Sequence, residues 1–193
     1  GAAIGDSLGI YCEGNDTMTI NFFNDQPLDI TWSHPITSKN GRYLHRGSFT
    51  DDTALMLTFL RAVVSTAIEN LPKSKDELKY IFDPCEAARR IHHWIDNGID
   101  EHLDGSGFGR GGFTTSVVRS NGYDENPIEV SRSVWEDGGK KRASNGGVMR
   151  TAGCGCFLFW DENKVIKISR RFCQCTHYDP RCVFSSVLIS LII

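Results

Sequence analysis

The chain has 193 residues, of which 40% are hydrophobic and 23% charged, a balance that places it in the globular class with apolar material for one core. Its net charge of -3 supplies no field that would hold a polyanion non-specifically, so general nucleic-acid binding and membrane-surface binding are excluded, and any phosphate must be met by local geometry. Seven cysteines in no regular framework fit a reducing compartment better than a disulfide-stapled secreted fold, which predicts an intracellular protein, cytoplasmic or nuclear.

The opening Gly1-Ala2-Ala3-Ile4-Gly5-Asp6 is dense in small residues and carries no charged leader, so the chain reads as starting inside an element. Thr17 to Phe22 alternates weakly and is the best strand candidate. Asp51-Asp52-Thr53 leads into a run from Ala54 to Val64 that is apolar on nearly every face and predicts a central helix. Asp83-Pro84 is a cap followed by a first-turn proline, Glu86 would close a capping box, and Gly98 is a stop. Between them Ile91, Trp94 and Ile95 form an apolar stripe, and Arg89, Arg90 and His93 the surface face.

Asn126-Pro127 and Asp179-Pro180 repeat the cap-then-proline signal, opening helices through Val130, Val134 and Trp135 and through Val183, Val187 and Leu191. Two further helices are expected from about Gly147 to Phe159 and from about Glu162 to Thr176. The last run, Val183 to Ile193, is shorter than the ~20 residues of a membrane span and ends without a stop signal; it reads as a core helix cut in mid-run. The segments from Glu13 to Phe49, Gly98 to Phe113 and Glu136 to Asn145 show no regular pattern, and loops that long are usually functional or mobile. The expectation is an all-α, multi-helix orthogonal bundle forming one incomplete domain over residues 1–193, truncated at both ends.

Four stretches can carry chemistry. Thr50-Asp51-Asp52-Thr53 offers a hard cation such as magnesium several oxygen ligands from one turn. Helix capping is the competing explanation, but two adjacent carboxylates repel and cannot both cap, so the excess charge needs a cation or a basic partner. Ser144-Asn145-Gly146-Gly147-Val148-Met149-Arg150 puts a glycine-bearing turn before a predicted helix, where free amides favour an anion; it fits neither a Walker nor a dinucleotide fingerprint and can equally be an ordinary cap. Lys140, Lys141 and Arg142 just upstream either assist a phosphate or form a solvated charge run. Gly105 to Gly112 is either a ligand-approaching loop or a flexible connection. His177 lies between two helices, near Cys173, Cys175 and Cys182, but the thiol spacing matches no zinc knuckle; Cys154 and Cys156 read as small core residues.

Taken in order, Gly1 to Gly9, Glu13, Thr50-Asp51-Asp52-Thr53, Asn145-Gly146-Gly147-Val148-Met149-Arg150 and Thr176-His177 resemble the ADP-ribosylglycohydrolase family, with Gly5 to Thr17 closest to the branch acting on hydroxyl-linked acceptors. The resemblance implies an all-helical domain with a two-magnesium site. Carried over, Thr50, Asp51 and Asp52 would be metal ligands, with Asp51, Asp52 and Glu13 catalytic and Glu13 the acid/base or water-orienting group. Asp6 would brace the first helix. Ser144, Asn145, Gly146 and Met149 would meet the diphosphate and ribose, Gly109 and Gly111 would belong to a second phosphate-facing loop, and His177 would lie on the ligand side.

The implied function is magnesium-dependent cleavage of the glycosidic bond between ADP-ribose and a protein side chain or related acceptor, by a monomer with neither nucleic-acid nor membrane partners. The alternative is a catalytically inactive relative acting as a binding or structural module. The family's later acidic Asp-x-Asp-Thr or Asp-x-Asp-Ser stretch does not occur here, so the chain by itself is expected to bind magnesium weakly and to be inactive. Trp32, His34, Tyr43 and His45 would face the acceptor, or else serve packing or surface.

Overall fold

The computed structural model describes residues 1–10, 36–37, 43–44, 48–70, 81–99 and 106–193. Glu13, the Thr17–Phe22 strand candidate, Trp32, His34 and His45 lie outside the described residues. The regular structure described is helical, apart from a two-residue antiparallel pairing of Ile36 with Leu44 and Thr37 with Tyr43. The all-α expectation therefore holds.

Among the described residues eight α-helices follow in chain order: α1 (Ala2–Gly9), α2 (Asp51–Asn70), α3 (Pro84–Asn97), α4 (Gly112–Val118), α5 (Pro127–Asp137), α6 (Ala152–Phe157), α7 (Glu162–Gln174) and α8 (Pro180–Ile192), with a 3-10 turn at Asn145–Gly147. Among the described residues no helix is long and apolar enough to cross a membrane.

The caps explain where the helices start. Asp83 accepts from the Cys85 amide ahead of Pro84, Asp161 from Lys164, and Asp179 from Arg181 ahead of Pro180, each satisfying an amide that has no partner within its own helix. Glu86 does not close a capping box; its carboxylate accepts from Arg89 and Arg90, where two guanidinium groups outcompete one backbone amide. Gly98 ends α3 at φ 73°, its amide returning to the Trp94 carbonyl.

α2 runs through the core with Leu55, Phe59, Ala62 and Val63 buried, although Val64 and Ile68 remain exposed. α3 lies along it and buries Ala87, Ala88, Ile91, Trp94 and Ile95, while Arg89 and His93 face outward as expected. Phe59, Phe82 and Phe172 join α2, the entry to α3 and α7, with ring centroids 4.8 to 6.1 Å apart.

Three expectations need correction. The helix expected from Gly147 to Phe159 is a 3-10 turn followed, after a break, by the six-residue α6, since four glycines in Gly146 to Gly155 weaken helix propagation. α4 forms where no element was expected. α8 buries Cys182, Ser186 and Ser190 and leaves Phe184, Leu188, Leu191 and Ile192 exposed. Small side chains let α8 approach closely: a Cβ on Gly155 of α6 would lie 2.4 Å from the Ser190 carbonyl oxygen.

Candidate functional site

The head of α2 is built by a residue from another helix. Asp6 on α1 accepts from the Thr50 amide through both carboxylate oxygens (3.1 and 3.0 Å), from the Thr50 hydroxyl (2.8 Å) and from the Thr53 amide (3.1 Å). It thus accepts from two amides at the head of α2, so that it braces α2 as well as anchoring α1.

Asp52 is half-buried and lines a cleft of about 390 Å³ with Asp6, Thr50, Thr53, Ile10 and Met149. Its carboxyl is pushed up from its ordinary value, first by burial and then by the Asp6 charge, with the Thr50 hydroxyl 3.2 Å away pulling the other way.

Asp51 takes a different position. It is 9% exposed and lies beneath the glycine loop: Gly109, at φ +79°, comes so close that a Cβ there would stand 2.7 Å from Asp51 Oδ1 and 2.9 Å from Thr50 Cβ. Glycine is required twice at this position, by the left-handed backbone and by the approach. Gly107 is seated on the Trp94 ring, where a Cβ would meet ring carbons at 2.8 Å, and Arg110 donates to the Gly107 carbonyl at 2.7 Å. Gly107 and Gly109 thus pack against the protein's own Trp94, Thr50 and Asp51. Gly111, exposed at the start of α4, has ordinary backbone angles, and a Cβ there would make only an ordinary contact, 3.8 Å from Thr114 Oγ1.

α4 carries the loop on to the 144–149 turn. A Cβ on Gly146 would lie 2.9 Å from His177 Cε1 and 3.4 Å from Thr114 Oγ1, and one on Gly147 2.8 Å from Cys173 Sγ. Ser144 Oγ is 2.8 Å from His177 Nε2, and the Phe113 ring meets the imidazole edge-on at 5.3 Å. His177 is fully buried, and burial, reinforced by the Arg150 charge, holds its pKa down at about 3, so the ring is neutral. Ser144 and Asn145 are exposed, and Met149 reaches the cleft of Asp52.

The structure therefore gathers Thr50, Asp52 and Met149 into one cleft, sets Gly109 on Asp51, and joins Ser144 and Gly146 to His177. It does not gather the thiols. Cys173 turns to the His177 carbonyl, Cys175 to that of Arg171 and Cys182 to that of Ser144, which leaves zinc without a ligand set. Burial pushes Cys154 and Cys175 up to about 12, which makes them inert packing groups. Among the described residues no three His, Cys, Asp or Glu side chains are grouped as a metal ion would need. The oxygens of Thr50 and Asp52 nevertheless have the hardness magnesium prefers, whereas the Asp6 oxygens are occupied by amides.

Sequence reasoning passed over Thr114, which touches Gly146, and gave no role to Arg150 and Thr176, which it quoted only within the family pattern and which lie behind His177. No local periodicity signals contacts between segments so far apart. A family model described as ADP-ribosylglycohydrolase matches residues 1–193. No curated protein matches the chain.

Proposed function

The chain belongs to the ADP-ribosylglycohydrolase family, a family of glycosyl-bond hydrolases, and from that premise we propose that it cleaves, with magnesium, the glycosidic bond joining ADP-ribose to a protein side chain or related acceptor. The observation that carries this reading is convergence: the Thr50–Asp52 head, the Gly107–Gly109 loop and the 144–149 turn with His177 are remote in sequence yet contiguous in the fold.

Thr50, Asp51 and Asp52 would hold the metal, and the raised proton affinity of Asp52 supports this, because a divalent cation relieves the burial and repulsion that cause it. Bound magnesium would supply Lewis acidity toward the distal ribose hydroxyls and a water. Ser144, Asn145, Gly146 and Met149 would receive the diphosphate and ribose, Gly109 and Gly111 would belong to a second phosphate-facing loop, and His177, assigned to the ligand side but fully buried, would act through Ser144. Breaking the bond at the anomeric carbon develops oxocarbenium character, which the Asp51 and Asp52 carboxylates stabilise by charge; Glu13 is the group assigned to water orientation and proton transfer. The protein acts as an intracellular monomer on an ADP-ribosylated protein or an ADP-ribose-containing small molecule.

The test is release of ADP-ribose from modified proteins by the full-length protein, with magnesium and with chelator, beside Asp52→Asn. Magnesium-dependent release that Asp52→Asn reduces by about two orders of magnitude supports the proposal. Tight ADP-ribose binding without turnover would favour the non-catalytic module instead, and neither binding nor release would refute both.

A further inference from the structure

Arg150 is fully buried, and no carboxylate among the described residues meets it. Its Nη2 donates to Thr176 Oγ1 at 2.6 Å and to the Phe172 carbonyl at 3.1 Å, and its Cζ lies 4.5 Å from the centroid of the Phe172 ring. Among the described residues Nε and Nη1 have no hydrogen-bond partner. An unneutralised cation at such a position is costly, so its one strong side-chain contact is informative.

That contact fixes a chain of proton directions. Thr176 Oγ1 accepts from Arg150 and stands 2.8 Å from His177 Nδ1. Thr176 is fully buried, and His177 is the one acceptor its hydroxyl proton reaches among the described residues. Were the imidazole proton on Nδ1, it would point at the same oxygen and strand the hydroxyl proton, at a cost of about 1–3 kcal/mol. Thr176 therefore donates to Nδ1 and the ring carries its proton on Nε2. A doubly protonated ring is disfavoured by burial and the Arg150 charge. Nε2–H then donates to Ser144 Oγ at 2.8 Å. The exposed Ser144 hydroxyl, its oxygen already engaged, has its own proton left to offer outward.

We propose that Arg150 is a positioning residue: through Thr176 and His177 it fixes the Ser144 hydroxyl as a hydrogen-bond donor and so selects an anionic oxygen, a ligand phosphate, at that point of the turn. With the opposite tautomer Ser144 would donate inward and present lone pairs to the phosphate, which repel it. The ligand half of this inference rests on the ADP-ribose reading; the proton directions do not.

The experiment has two arms on the full chain. Long-range proton–nitrogen correlation spectra of the nitrogen-15-labelled protein without ligand report the tautomer directly: His177 is expected as Nε2–H and unchanged between about pH 5 and 8. Thr176→Ser should preserve that signature and Thr176→Val should lose it. Calorimetry with ADP-ribose and with inorganic pyrophosphate then compares Ser144→Ala, Thr176→Val and their combination. Each single variant should bind about tenfold more weakly, and the double variant no more weakly than the worse single one, because both remove the same donated proton. Thr176→Ser should bind like the parent. An Nδ1–H or charged ring in the parent, or losses that multiply to about a hundredfold in the double variant, overturns the proposal. Because the spectra need no ligand, an Nε2–H ring in a protein that ignores ADP-ribose would refute the function above while leaving the relay standing.

Discussion

Replacing Gly109 by alanine tests whether the glycine loop is a built wall of the site or a passive connection. At φ +79° an L-residue pays about 1–2 kcal/mol for the left-handed conformation. The added methyl also meets Asp51 Oδ1 at 2.7 Å, Thr50 Cβ at 2.9 Å and the Asp51 amide nitrogen at 3.2 Å, and two of these belong to stiff parts of the α2 head, so overpacking adds about 1–3 kcal/mol. The expected loss is about 2–5 kcal/mol. Gly111→Ala, two residues on, is the internal control: its φ is -67° and the nearest atom to a new methyl is Thr114 Oγ1 at 3.8 Å, so stability should move by less than about 0.5 kcal/mol. Urea unfolding of both variants reads the difference through the midpoint at constant slope. Since the clash falls on Thr50 and Asp51, ADP-ribose affinity in magnesium should also fall in Gly109→Ala at temperatures where the variant remains folded. Equal midpoints for the two alanine variants would refute the argument, because they would show that the loop does not rest on Asp51.

Asp6→Asn should cost about 2 kcal/mol by weakening a charge-assisted cap on α2. The same substitution should lower the Asp52 pKa, since the Asp6 charge is one of its two raising causes; carboxyl carbon chemical shifts against pH check the sign. His177 refuses a proton down to about 3 in the folded state but takes one near 6.5 when unfolded. Its contribution is therefore intact above 6.5 and is lost as pH falls toward 3, by up to roughly 1.4 kcal/mol per pH unit, and His177→Gln should flatten that slope in urea midpoints. Asp179 is held down at about 2, chiefly by Arg181, with help from the Trp135 indole, and its ordinary value is 3.8. Its stabilisation is fully present above 3.8 and disappears as pH falls through about 2, so Asp179→Asn should cost about 2 kcal/mol near neutrality and almost nothing at the acid end of a thermal-unfolding series.

How far the sequence reads depends on the range of the interaction that encodes each feature. Asp83-Pro84 and Asp179-Pro180 announced their helices because a cap and a fixed proline φ act within one turn, and both aspartates do cap. Asn126-Pro127 marked its helix as well, though its side chain makes no capping bond. The stripe of Ile91, Trp94 and Ile95 faces the core because helical periodicity is local. α8 defeated the same reasoning: nearly every position is apolar or small, so periodicity could not choose a face, and the close crossing with α6 at Gly155 chose the small one.

At the site, the residue types and their order were written in the chain, and the family followed from them. By itself the sequence determined a helical domain, the caps at Asp83 and Asp179, and a set of oxygen- and glycine-rich turns. Only the tertiary structure decided that Asp6 braces the head of α2, that Gly109 lies on Asp51, and that Arg150 stands behind His177 and Ser144. Those assignments join residues dozens of positions apart, and a hydrogen bond of that range exists only once packing has brought both partners out of water and into reach.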